Sequence, residues 1–307
     1  MQVHSFRPVF FPRPAVLTLG NFDGMHLGHQ ALARRVAEEA HRLGGVSTLV
    51  TFHPHPQNVL GAHPEPQITP LAMRLSLLGP LGLDRAVVIG FSRDMARLTP
   101  AEFIEEYLLK RFPLVKLIVG YDFAFGAGRQ GTHFRLEELG RRHGFEVEVF
   151  PEVRVEGEVV KSTAIRKLLE ACRFHEAARL LGRPFSLAAP VARGDGRGSQ
   201  LGFPTLNQPL EEPLPLQKGV YVTTVRLAGQ TYPAVSNYGR RPTVGGHQLV
   251  MESHLLDFDR KVYGAMAEVT PHTMLRSEQA FPSLQALAQQ IDQDRLQARA
   301  WHQAQSR

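Results

Sequence analysis

The stretch from Leu17 to His29, reading LTLGNFDGMHLGH, constrains this 307-residue chain more than any other. Val16 to Leu19 is a short β-prone apolar run of the kind a buried strand needs. Gly20 and Gly24 break it with Asp23 between them, so the chain turns tightly where a side chain would obstruct a ligand. Leu27, Leu32, Val36 and Ala40 then open a helical period, and the spacing puts His26 and His29 in its first turn. A strand, a glycine turn and a helix N-terminus form a ready anion site, because unpaired N–H groups point at whatever docks there. Two histidines three apart share a helix face and can donate hydrogen bonds to phosphate oxygens. A pair of exposed surface histidines would show the same spacing, but their coincidence with strand, glycines and helix start favours a site.

From residue 15 to about 150, short apolar runs alternate with amphipathic stretches. Candidate strands are 16–19, 46–52, 85–89, 114–119 and 146–150, with helical patterns near 27–42, 70–79, 100–110 and 132–143. That alternation predicts a parallel, doubly wound sheet with helices on both faces. In such sheets the ligand lies beyond the C-terminal ends of the strands.

Three further segments follow candidate strands. In Thr51-Phe52-His53-Pro54-His55-Pro56, alternating prolines stiffen an extended loop. Its two histidines lack a third metal ligand and are expected to line the loop. In Gly120-Tyr121-Asp122-Phe123-Ala124-Phe125-Gly126, one carboxylate stands among aromatics, a combination that suits a flat heterocycle with polar edges. Lys161-Ser162-Thr163-Ala164-Ile165-Arg166 opens a helix, with Ser162 or Thr163 as the expected N-cap and Arg166 one turn in, where it can reach a triphosphate.

Beyond Gly182 the texture changes to short β-rich segments at 185–191, 220–227, 232–236, 250–256 and 263–269, as in a small antiparallel barrel, with a last helix over 283–301. The expected division is therefore 1–182 and 183–307. Gly194, Gly196 and Gly198 form a glycine-rich loop without Walker spacing, and Leu201-Gly202-Phe203-Pro204-Thr205-Leu206-Asn207 follows it. Thr205 and Asn207 alternate by two, so both point one way in an extended chain, and both carry oxygens that suit Mg²⁺. Glu252 and His254 share a face of the strand MESHLL, and a Glu on the inner face of a small barrel is costly without a task or a partner.

Composition enters only to exclude. A net charge of +6 suits anionic ligands, but Lys and Arg form no run of five, so a nucleic-acid partner is not expected. The single cysteine, Cys172, excludes an intrachain disulfide and fits a reducing cytoplasm. The segment MQVHSFRPVF lacks the apolar core of a signal peptide, and no apolar run is long enough to span a bilayer, so no membrane partner is expected. Oligomeric state is left open.

GNFDGMHLGH resembles the HxGH signature of the nucleotidyltransferase superfamily. With TFHPHP, GYDFAFGAGRQG, STAIR, LGFPTLN, KGVY, GRRPT and ESHLLDFDRKVYG following in order, the chain resembles the bacterial bifunctional riboflavin kinase/FMN adenylyltransferases. The resemblance implies a nucleotidyltransferase domain that joins AMP to FMN, followed by a barrel kinase domain that phosphorylates riboflavin. It implies that Gly20, Phe22, Asp23 and Gly28 shape an ATP pocket, and that His26 and His29 stabilise the triphosphate while Ser162, Thr163 and Arg166 close on it. Asp122, Phe123, Phe125, Pro54 and Pro56 would line the nucleotide and flavin pocket. In the kinase domain Gly194, Gly198 and Gly202 would form the nucleotide loop, Thr205 and Asn207 would hold Mg²⁺ with ATP, and Glu252 would be the base for the ribityl hydroxyl. Relatives usually carry Ser at the position of Lys161 and Gly at that of Ala189; the first replaces a phosphate-facing hydroxyl, the second bears on entry to the kinase loop. Two alternatives stand beside this one. An adenylyltransferase with a merely flavin-binding barrel is opposed by intact Thr205, Asn207 and Glu252, and a nucleic-acid-binding HxGH protein by the scattered charge.

Overall fold

The computed structural model describes residues 1–5, 10–194, 198, 201–243 and 246–305. The chain forms two compact units, one of residues Met1–Glu65 and Leu71–Ser162, the other of Pro66–Pro70 and Thr163–Arg307.

The first unit is built on six parallel strands: β1 (Gln2–Ser5), β2 (Ala15–Leu19), β3 (Val46–His53), β4 (Arg85–Gly90), β5 (Leu114–Gly120) and β6 (Glu146–Phe150). Their order across the sheet is β1-β4-β3-β2-β5-β6. The strands alternate with α1 (Leu27–Arg42), α2 (Pro56–Leu60), α3 (Leu71–Leu78), α4 (Pro100–Phe103) and α5 (His133–His143). Residues on alternate sides of each strand enter separate cores, as a sheet buried on both faces requires. Leu17, Leu19, Val50, Val87, Leu117 and Val119 pack against Phe103, Ile104, Leu108, Leu136 and Leu139. Val16, Leu49, Ala86 and Ile118 pack against Leu32, Ala33 and Val36 of α1. The doubly wound sheet expected from the sequence is present.

Two details differ. The helix expected over 100–110 is α-helical only to Phe103, behind a capping box of Thr99 and Glu102, and continues as a π-helix over Ile104–Leu109. β1, not anticipated, adds an outer strand parallel to β4.

In the second unit α6 (Ser162–Glu170, whose first residue belongs to the first unit) and α7 (Phe174–Leu181) precede an antiparallel sheet. A two-stranded ribbon, β7 (Arg154–Val155) and β8 (Glu158–Val159), stands between β6 and α6 in sequence. The sheet comprises β9 (Leu187–Pro190), β10 (Leu206–Leu210), β11 (Gly219–Leu227), β12 (Gln230–Thr243), β13 (Gly246–Leu255) and β14 (Met266–Ser277), in the order β10-β13-β12-β11-β14-β9. Its ends nearly meet: Ala192 N–H donates to the Asn207 carbonyl at 2.8 Å. The buried Gln208 amide completes the closure, donating from Nε2 to the carbonyls of Ala189 (2.7 Å) and Ala267 (2.8 Å). A barrel thereby removes its exposed edges. Ala189, where relatives usually have Gly, is an ordinary strand residue paired with Ala267.

The closing helix, α8 (Leu284–Gln305), lies over the outer barrel face, where Ala298 and Trp301 cover Val220, Val222, Val235 and Leu275. No described helix is long and apolar enough to cross a membrane.

Candidate active sites

In the first unit the chain leaves β2 through two left-handed residues, Phe22 (φ 51°) and Met25 (φ 41°). Such backbone costs a non-glycine residue on the order of 1–3 kcal/mol, and it persists only where packing enforces it. Here both side chains are fully buried in the core that α1 covers. Arg74 of α3 supplies a second restraint. Its guanidinium is buried and donates from Nη1 to the Asn21 carbonyl at 2.7 Å and to Thr51 Oγ1 at 3.2 Å. Thr51 Oγ1 donates to the same carbonyl at 3.1 Å. Ser162 Oγ donates to the Asp23 carbonyl at 2.9 Å, so Ser162 braces the turn and does not cap α6 as expected.

His26 is the N-cap of α1, one position before the first turn in which it was expected. Its Nδ1 accepts the His29 backbone N–H at 3.2 Å, which leaves Nε2 to carry the proton. The two rings stack with centroids 3.5 Å apart and 17° between their planes. His29 Nδ1 is shielded from solvent and makes no hydrogen bond. Burial first, then the neighbouring His26 and Arg74, holds the His29 pKa well below its ordinary value. The pair is therefore suited to offering hydrogen bonds to phosphate, and charge neutralisation must come from other groups. Gly20 and Gly28 fit this packing closely: a β-carbon would stand 3.2 Å from the Phe22 ring at Gly20 and 3.2 Å from the His26 ring at Gly28. Asp23 is buried in the same turn.

An aromatic wall lies past β3, β4 and β5. Phe123 stacks on Phe125 (5.4 Å, 22°), Phe125 meets Phe103 edge-on at 5.5 Å, and Phe52 meets Phe91 edge-on at 5.9 Å. Paired backbone hydrogen bonds between Phe125 and Gly131 close the loop that carries it. Asp122 stands exposed on this loop. Pro54 follows β3 and Pro56 opens α2, whose N-cap is His55, so that histidine is engaged in helix capping. Thr163 and Arg166 belong to the second unit, where Thr163 is exposed and Arg166 Nε donates to the Pro66 carbonyl at 2.8 Å.

The barrel's site is a cleft of about 730 Å³. Strand register creates it. Asn207 of β10 pairs with Glu252 of β13, Glu252 with Asn237 of β12, Asn237 with Val220 of β11, and Val220 with Arg276 of β14. Paired residues share a face, so the five side chains form one row, and all five line the cleft. This corrects the expectation that Glu252 faces the barrel interior. The interior belongs to the alternate residues Thr223, Ser236 and Ser253, whose buried hydroxyls bond one another at 2.7 and 2.8 Å. The Glu252 row lies on the outer face, where Leu287, Ile291 and Asp294 of α8 form the opposite wall. Arg276 ties wall to row, donating to the buried Asp294 carboxylate at 2.8–3.1 Å.

Thr205, Gly198 and His254 line the same cleft. Asn207 Nδ2 donates to the Thr205 carbonyl (3.2 Å) and to its Oγ1 (3.4 Å), and His254 Nδ1 donates to the Pro204 carbonyl at 2.9 Å. Burial pushes the His254 pKa down. A β-carbon on Gly194 would lie 2.5 Å from Asn207 Nδ2, so a larger residue there would displace the Asn207 side chain. Gly202 takes a left-handed turn (φ 85°), and Gly196 lies outside the described residues. Arg74, Asn237 and Arg276 were not found from the sequence. Arg74 left one signal, a lone arginine within the apolar helix LAMRLSLL; the other two are placed by register, which no single segment displays.

A histidine pair at a helix N-terminus beyond a parallel sheet, and a carboxylate beside amide and hydroxyl groups on a barrel, are what a two-site transferase acting on phosphates requires. Residues 11–164 match the FAD synthetase family and residues 181–302 the riboflavin kinase family. The bifunctional riboflavin kinase/FMN adenylyltransferase of Pseudomonas fluorescens is 40% identical over 299 residues, spanning 97% of this chain and 96% of that protein. The Escherichia coli (strain K12) protein of the same name is 38% identical over 286 residues, 92% of this chain and 91% of its own. A crystal structure described as a macrolide-efflux protein from Streptococcus pneumoniae matches with a TM-score of 0.76 at 28% identity, over 97% of this chain and 99% of that one. That likeness carries the architecture and not the name. The chain belongs to the bifunctional riboflavin kinase/FMN adenylyltransferase family.

Proposed function

We propose that this enzyme, which converts riboflavin to FMN and FMN to FAD, runs the two reactions at the separate sites described above, with the residues in the following roles. The observation that carries the assignment is the Asn207–Glu252–Asn237 row, which puts a carboxylate beside oxygen ligands in a cleft large enough for a flavin. There Glu252 takes the proton of the ribityl hydroxyl as its oxygen bonds to the γ-phosphorus of ATP and the bond to ADP breaks. Thr205 and Asn207 would hold Mg²⁺, and their hydroxyl and amide oxygens fit that hard ion. When bound, Mg²⁺ neutralises phosphate charge. Gly194, Gly198 and Gly202 let the backbone approach the nucleotide.

In adenylyl transfer an FMN phosphate oxygen bonds to the α-phosphorus while the bond to pyrophosphate breaks. His26 and His29 donate hydrogen bonds to the ATP phosphates, and Gly20, Phe22, Asp23 and Gly28 shape their pocket. Ser162 braces the turn, Thr163 and Arg166 serve the triphosphate, and Asp122, Phe123, Phe125, Pro54 and Pro56 border the flavin and nucleotide. The functional boundary near Gly182, a cytoplasmic location, and the absence of nucleic-acid and membrane partners belong to the same proposal. It is supported by the two family matches, the lone unpaired Cys172 and the scattered charge.

Incubation of pure protein with riboflavin, ATP and Mg²⁺, followed by chromatography of the flavins, tests the whole. Wild type is expected to give FMN, then FAD. His29→Ala is expected to lose about 2–4 kcal/mol of transition-state stabilisation and to accumulate FMN. Unchanged FAD output from that variant would remove His29 from the chemistry.

A further inference from the structure

Lys161 stands at a crevice of the first unit. β2 and β5 are neighbours in the sheet although they are far apart in sequence, and their connections run to opposite sides. In doubly wound sheets ligands enter where strand order reverses in this way. The β2 side of the crevice carries the glycine turn and the histidine pair. On the β5 side, Gly120 ends the strand and Tyr121 begins the aromatic loop. Ser162 Oγ, bound to the Asp23 carbonyl at 2.9 Å, fixes the backbone next to Lys161 against the β2 turn. The Lys161 Nζ reaches across to the other side and lies 5.3 Å from the centroid of the Tyr121 ring. Its side chain is exposed, so it stays charged without a desolvation cost. The Tyr121 oxygen beside the ammonium, and then the carboxylates of Asp122 and Glu152, hold its pKa above the ordinary lysine value.

Adenylyl transfer brings two anions together, the phosphate monoester of FMN and the triphosphate of ATP. The histidine pair is suited to offering hydrogen bonds rather than charge. A cation on the flavin side of the crevice is placed to offset this repulsion. We propose that Lys161 is a specificity-determining residue of the adenylyltransferase, its ammonium receiving the phosphate of FMN as that group approaches ATP. The ammonium keeps its proton throughout, and the bonds made and broken are those at the α-phosphorus. Riboflavin, which has no phosphate, gains nothing from the contact, so the residue also selects FMN over its precursor. This inference rests on the assignment of adenylyl transfer to the His26–His29 turn.

The experiment measures FAD formation by full-length wild type, Lys161→Met and Lys161→Arg, varying FMN and ATP separately at low and high salt. Riboflavin phosphorylation on the same preparations reports folding. Lys161→Met is expected to raise the KM for FMN about tenfold, the scale of one charged hydrogen bond, with the KM for ATP little changed. Its KM for FMN should also lose salt dependence, and Lys161→Arg should recover most of the affinity. A second measurement needs no variant: amine acetylation of wild type, read at the Lys161 peptide by mass spectrometry, should be slowed by FMN with a non-hydrolysable ATP analogue and not by riboflavin with the same analogue. An unchanged KM for FMN, an effect confined to ATP, or equal protection by riboflavin would overturn the inference. If His29→Ala abolishes FAD formation while Lys161→Met behaves as wild type, the inference alone fails. If His29→Ala is fully active, the site assignment beneath it fails.

Discussion

At the scale of single residues, Glu252 shows most plainly what register adds to sequence. Its alternation with His254 was visible in MESHLL, but its neighbours Asn207 and Asn237 lie 45 positions before and 15 before it, and only strand pairing makes them adjacent. Glu252→Gln keeps the volume and the hydrogen-bonding capacity of the side chain but cannot take the hydroxyl proton. Riboflavin phosphorylation is expected to fall about 10²–10⁴-fold, with riboflavin affinity little changed. FMN supplied directly should still become FAD, because Glu252 has no part in the chemistry proposed for the His26–His29 turn. Near-normal phosphorylation would make Glu252 a wet structural residue, and equal loss of both activities would indicate misfolding. Gly194 tests the loop above this row. A methyl group there would overlap the Asn207 amide, so Gly194→Ala should raise the KM for ATP in the kinase reaction alone. Steady-state kinetics of both reactions on one preparation checks this.

At the scale of elements, helices and buried strands were legible because their apolar periods are long. The patterns over 27–42 and 146–150 coincide with α1 and β6. β10 was not legible, since LNQPL contains a proline and a glutamine, and Gln208 is buried only because its amide closes the barrel. β1 is short and largely exposed, so it lacks the apolar run that marked the other parallel strands. Lys116 is a different case: the strand around it was legible, but its partners were not. Its Nζ lies 2.9 Å from Glu39 Oε1 of α1 and 2.9 Å from Glu148 Oε2 of β6, and Arg42 Nη2 lies 2.6 Å from Glu39 Oε1. Hydrogen bonds from Arg42 and then Lys116 hold the nearly buried Glu39 carboxyl at about 2, against an ordinary 4.5. A depressed carboxylate pKa stabilises the fold above the unfolded value, and that contribution is lost as pH falls toward the folded one. Glu39→Gln is therefore expected to cost about 1–3 kcal/mol at neutral pH. The gap from wild type should close between pH 4.5 and about 2, as followed by chemical unfolding at a series of pH values. A constant gap across that range would place the stabilisation elsewhere.

At the scale of the whole molecule, the change of texture near Gly182 marks where helices give way to strands, while the compact second unit begins earlier, at Thr163, and also takes in Pro66–Pro70. The reason lies in α6 and α7, whose helical pattern resembles the first half of the chain but whose packing belongs with the barrel. Phe174 meets Tyr221 edge-on at 6.1 Å, Cys172 Sγ lies 3.7 Å from Met274 Sδ, and Gln217 Nε2 donates to the Glu170 carbonyl at 2.8 Å. Phe174, Ala177, Leu180 and Leu181 are buried. Burying each of the three large side chains contributes about 1.5–3 kcal/mol, a sum comparable to the net stability of a small domain. A fragment of residues 163–307 is accordingly expected to fold and to phosphorylate riboflavin without the first unit. A fragment of residues 183–307 should melt at a clearly lower temperature, because Tyr221 and Met274 lose the helices that cover them. Thermal unfolding of the two fragments, with chromatography of riboflavin and FMN on each, decides the matter. Equal melting temperatures with equal kinase activity would mean that α6 and α7 contribute nothing to the barrel's stability, and would move the working boundary back to Gly182.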